Sequence, residues 1–196
     1  MKIYFKIIIF TVIILVFAGI SQSCKKKIEY KTAQPKITVK LTPVEYNDSI
    51  IGFQERVIRK VLEFSQTFQN LSPSQKESKV NDILNEINNS IENLRNLGGF
   101  FGNVKLNDAC LNWLNFYKSA FNNEYKEIIQ IATKPPNEIT EKDIIRMDDL
   151  QKKVAKRELE IHKEFSDVQK EFYQQFDIKG KENKLDKQVE DIGKKK

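Results

Sequence analysis

The stretch LNDACLNWLNFYKSAFNNEYKEIIQIA, residues 106–132, is the most apolar and aromatic part of the chain beyond its N-terminal segment. Leu106, Ala109, Trp113, Leu114, Tyr117, Phe121, Ile128 and Ala132 recur at three- and four-residue steps, the spacing that places side chains on one face of an α-helix. Neither Pro nor Gly interrupts it, so the spacing predicts one central helix around which the rest packs. A stripe of this kind is a core, and it carries information about fold rather than chemistry.

The flanking segments supply three more helices. Downstream, Lys134-Pro135-Pro136-Asn137 closes the central helix, and Thr140 followed by Glu141 and Asp143 reads as an N-cap with acids in the first turn. Met147, Leu150, Val154, Ile161, Phe165, Phe172 and Phe176 then mark a long helix to about Asp177. Upstream, Gly98-Gly99 ends a helix begun by the capping-box pattern Ser72-Pro73-Ser74-Gln75. Before it, Thr42-Pro43-Val44-Glu45 starts a helix that runs to about Asn70. Short links force neighbouring helices to run in opposite directions. The predicted fold is therefore all-α, an antiparallel four-helix up-down-up-down bundle over residues 42–177, with a charged, mobile tail over 178–196.

The N-terminus reads as an export signal. Lys2 and Lys6 precede an apolar run of 14 residues at 7–20, shorter than the roughly 20 needed to span a bilayer as a helix. Ser21-Gln22-Ser23-Cys24 follows, which resembles the lipobox of bacterial lipoproteins. Ser21 stands where that box usually has Leu, and Gln22 is bulky for its place. Residues 1–23 are expected to be a lipoprotein signal peptide, Cys24 the lipidated residue, and 24–41 a tether. An uncleaved N-terminal anchor is the alternative, because Lys25, Lys26 and Lys27 oppose translocation. Both place the domain at a membrane of the bacterial envelope. With Cys24 lipidated, Cys110 has no partner for a disulfide and is expected to be a buried apolar residue.

Charge excludes a common function class. Without Lys2 and Lys6 the chain carries 31 basic against 27 acidic residues, a balance of +4 spread along the helices. A nucleic-acid binder presents a basic stripe on one folded face, so no nucleic-acid partner is expected. Catalytic patterns are absent too. The single histidine, His162, lies outside any His-Glu-x-x-His or paired Glu-x-x-His arrangement. It reads as a boundary residue paired with Glu158 one turn before it. No enzyme activity, cofactor or metal is expected.

Tyr46-Asn47-Asp48 with Ile50 and Gln54, Asp108-Ala109, Phe116-Tyr117, Asn123-Glu124-Tyr125, and Gln169 with Glu171-Phe172 together resemble a family of bacterial surface lipoproteins of leptospiral type. The resemblance spans residues 44–176. It implies an exported, lipid-anchored helical domain and transfers no catalytic residue. From the residues themselves, Asn47 and Asp48 are expected to serve the free amides and dipole of the first helix.

The functional expectation is a membrane-anchored surface lipoprotein acting as an interaction or structural module, with a protein or glycan partner. The alternative is a small-ligand protein with an apolar cavity between helices two and three, of roughly 300 Å³ or more. Bundle topology also predicts that Phe100, Phe101, Phe172, Tyr173 and Phe176 share the end at which the tether arrives. There, either Ile37, Val39 and Leu41 cover them, or they meet the lipid interface beside Lys179 and Lys181.

Overall fold

The computed structural model describes residues 41–178, and they form a helical bundle. The signal segment 1–23, Cys24, the tether residues Ile37 and Val39, and Lys179 and Lys181 of the tail lie outside the described residues. The helices are α1 (Pro43–Thr67), extended by a 3-10 turn (Phe68–Asn70), α2 (Pro73–Leu97), α3 (Lys105–Asn122), α4 (Glu124–Ala132) and α5 (Glu141–Gln175).

Local chemistry sets the ends. Thr42, Ser72 and Thr140 each form a reciprocal capping box, with Glu45, Gln75 and Asp143 respectively, which satisfies amides that the first turn leaves open. Asp143 also accepts from Lys134 Nζ at 2.7 Å, and that bond, with the two from Thr140, holds its carboxyl down at about 2. At the other end of α2, Gly98 adopts φ +66, ψ −164, a region essentially restricted to glycine, and its N–H bonds Leu94 O as the chain leaves the helix. Gly99 is required for close approach: a Cβ there would lie 2.9 Å from the Asn103 carbonyl oxygen.

The central helix is broken where continuity was expected. Asn123 departs to φ −119, ψ −83 and divides the stretch into α3 and α4. Asn122 and Asn123 turn their side-chain amides back onto the Lys118 and Ser119 carbonyls, at 2.8 and 2.9 Å. Side chains that bond their own backbone in this way weaken the helix locally, and two such residues in succession suffice to break it.

Cross-helix contacts order the packing. Tyr46, at the start of α1, donates its hydroxyl to Gly98 O beyond the end of α2 at 2.7 Å, whereas Arg56 meets Glu86 at 2.9 Å, so contacts climb α1 as they descend α2. Lys105 pairs with Glu171 and, twelve residues on, Tyr117 with Glu158, so α3 and α5 behave likewise. The main core contains Ile50, Val57, Ile87, Leu94, Leu106, Trp113, Leu114, Tyr117, Phe165 and Phe172, and Leu41 packs against it. A second, small core joins Ile128 and Ile131 of α4 to Met147 and Leu150 of α5.

The expected aromatic end exists. The Phe100 ring lies 5.0 Å from Tyr46, 5.8 Å from Phe172 and 5.1 Å from Phe176. Phe100 and Phe172 are buried, and Tyr173 and Phe176 are partly so, which makes this cluster chiefly the end of the core. Leu41, the last tether residue, is partly buried against the main core.

Candidate functional site

On the α3 face toward α5, Tyr117 is buried between Trp113 and Phe121, and Glu158 of α5 lies opposite with 4% of its surface exposed. The Tyr117 hydroxyl donates to the Glu158 carboxylate. Burial raises the Glu158 pKa to about 7, against the lowering effect of the bond from Tyr117. The phenol of Tyr117 is pushed far above its ordinary range, first by burial and then by the negative charge of Glu158. Tyr125, partly buried, is raised for the same two reasons. The Trp113 ring lies 4.3 Å from that of Tyr117, tilted by 42°, and its indole N–H is buried with no hydrogen-bond acceptor among the described residues.

Above this pair lies a groove of about 610 Å³ between α3 and α5. Phe116 and Ala120, which flank Tyr117 in sequence, and Val154 and Ile161, which flank Glu158, line it. Its rim carries an ion pair between Lys153 and Glu124 at 2.7 Å, and Arg157 engaged by Glu160 at 3.0 Å. This groove is at the α3–α5 seam, whereas the small-ligand alternative placed its cavity between helices two and three. Ile83, Ile87, Ile91 and Leu94 of α2 and Leu106, Cys110 and Leu114 of α3 are all buried, and the charged Lys153, Arg157 and Glu164 of α5 line the α3–α5 groove.

This arrangement can hold or release a proton near neutrality. Nucleophilic or metal chemistry needs a second activated group at short range. Among the described residues no set of three His, Cys, Asp or Glu side chains could hold a metal ion. Cys110 is fully buried, its Sγ 3.9 Å from Ile50 O, and burial drives its thiol pKa upward, so it is inert. His162 sits at the boundary as expected, its ring meets Trp113 edge-on at 6.1 Å, and Glu158 accepts from Tyr117.

A second polar cluster closes the aromatic end. Asn47 was expected to serve the first turn of α1, a task already filled by Thr42 and Glu45. Instead Asn47 is buried and its Oδ1 accepts from Gln169 Nε2 at 2.8 Å. Asn107, unremarked in the sequence, donates through Nδ2 to Leu94 O at 2.8 Å and Gly98 O at 2.9 Å, capping the end of α2 from the start of α3. Tyr46, Asn47, Gln169 and Phe172 meet here, while Tyr117 and Tyr125 flank Glu158. Their roles are internal: they satisfy polar groups within the core. Comparison with family models, curated proteins and solved structures found no match for the chain.

Proposed function

We propose that this chain is a lipoprotein of the bacterial cell envelope, of the leptospiral-type surface family it resembles, anchored through lipid on Cys24. Its domain forms an antiparallel up-down-up-down four-helix bundle and acts as an interaction module for a protein or glycan. The observation that carries this reading is the apolar run at 7–20 followed by Ser23-Cys24 ahead of a folded helical domain. The contacts that climb one helix as they descend the next support the bundle topology.

Metabolic labelling with a fatty-acid analogue in the native host tests the anchor. The wild-type chain is expected to take up label and fractionate with the membranes, and Cys24→Ser to lose the label and remain unprocessed. Normal processing of the variant would refute the proposal.

The α3–α5 groove favours a second reading, in which the module binds a small molecule. Its floor of Phe116, Ala120, Val154 and Ile161 is apolar and its volume is within the usual range for ligand sites. A ligand screen read by thermal shift separates the two, since a groove-bound molecule raises Tm and Ala120→Trp abolishes the rise.

A further inference from the structure

The groove between α3 and α5 follows the helices for about 16 Å, the rise of α5 from Lys153 to Glu164. Its two walls differ. Asn112, Asn115 and Ser119, three and four residues apart, set a row of exposed, uncharged polar groups along α3. Lys153, Arg157 and Glu164 set a charged row along α5, and Glu124, the first residue of α4, closes one end through its ion pair with Lys153 at 2.7 Å. The floor between the walls is mostly covered: Ala120, Val154 and Ile161 are no more than 4% exposed. The apolar surface that remains is the partly buried Phe116 ring, which meets Tyr117 edge-on at 5.1 Å. Ala120, one turn on, is small and takes up little of the space beside that ring.

This lining disfavours several classes of occupant. An acyl chain or an amphipathic helix needs a row of accessible apolar anchors, and one ring does not make a row. Either would also strip water from the amide and charged side chains without replacing their hydrogen bonds. An extended peptide pairs with a sheet edge, and two helices offer none. A charged ligand meets groups already matched, Lys153 with Glu124 and Arg157 with Glu160 at 3.0 Å. An anion would have to displace a carboxylate and then face Glu164, and a cation would face Lys153 and Arg157. The lining suits a neutral molecule that makes hydrogen bonds of both senses and carries one flat apolar face. A sugar ring has both: each hydroxyl donates and accepts, as the Asn amides and the Ser119 hydroxyl do, and its C–H face can cover the Phe116 ring.

We propose that the α3–α5 groove binds a neutral oligosaccharide, one ring lying on Phe116 and its hydroxyls bonded to Asn112, Asn115 and Ser119. The proposal rests on the reading of this groove as a ligand site and is independent of lipid on Cys24. On the opposite wall the paired charges act as fixed donors and acceptors for further hydroxyls, and their mutual neutralisation makes the site indifferent to salt. The length of the groove suits a short chain of rings in preference to a single one.

The test titrates the full chain, held in phosphatidylethanolamine and phosphatidylglycerol nanodiscs free of sugar detergents, with maltotriose, mannotriose and triacetylchitotriose in a calorimeter. Trigalacturonate and deacetylated chitotriose serve as charged comparators. A neutral trimer is expected to bind with a Kd that does not move with salt, and the charged trimers to bind about ten-fold more weakly or not at all. Asn112→Ala and Asn115→Ala, at exposed positions where Tm should hold, are each expected to weaken binding about five-fold through loss of a hydrogen bond. Binding of no neutral trimer, preference for a charged one, or binding that survives both Asn variants would overturn the proposal. The thermal-shift screen tells this failure from failure of the groove itself. Hits abolished by Ala120→Trp beside silent trimers leave the groove a site for another ligand class, and a screen without hits removes both readings.

Discussion

The Tyr117 hydroxyl of α3 donates to the Glu158 carboxyl of α5, 41 residues away in sequence, in a buried setting. The folded carboxyl titrates near 7 and the ordinary value is 4.5, so between those values the folded state holds a proton that the unfolded state has lost. Stability from this group is complete below about pH 4.5 and disappears as pH rises past 7, with a slope approaching about 1.4 kcal/mol per unit. Urea denaturation across that window is expected to show the decline, and Glu158→Gln to flatten it and stabilise the protein at pH 8. A Glu158→Gln profile with the wild-type slope would place the titration elsewhere.

Trp113 is fully buried at the centre of the aromatic stripe. Trp113→Ala is expected to cost about 3–5 kcal/mol, through lost burial and a cavity that the surrounding helices close only in part. Trp113→Phe should cost less than its volume suggests, because it also removes an indole N–H that finds no acceptor among the described residues. Equal losses for the two variants in thermal denaturation would argue against that distinction.

The bond from Gln169 to Asn47 joins the two ends of the domain sequence in a buried setting. Truncating either residue to Ala leaves a polar partner in the core and is expected to cost about 1–3 kcal/mol. The double variant should lose less than the sum of the singles, by about 0.5–3 kcal/mol, the range seen for residues in contact. Strict additivity in denaturant titrations would mean that the two side chains act separately.

What could be read in advance was what is local. The caps at Thr42, Ser72 and Thr140 and the stop at Gly98 depend on residues within one turn, and each is found where its pattern lies. The facing of Trp113, Leu114 and Tyr117 followed from helical period. Pairings across the bundle did not follow. Nothing near Glu158 announces Tyr117, because its sequence neighbour His162 offered a plausible partner one turn away. Asn47 sits in the first turns of a helix, where a backbone role is the usual one, and only the position of Gln169 on α5 redirects it. The break at Asn123 was hidden by an apolar stripe that runs through it. The signal was the Asn122-Asn123 pair, weak helix formers whose amides compete for backbone carbonyls.

That break has a consequence for how the domain comes apart. It leaves α4 as a nine-residue helix whose buried Ile128 and Ile131 meet Met147 and Leu150 in a core of their own, small beside the one that holds Trp113. Little apolar surface ties this end down, so its amides should exchange with solvent through a partial opening at lower free energy than global unfolding requires. The molecule would then loosen from the end farthest from Gly98, while the end that receives the tether keeps its shape.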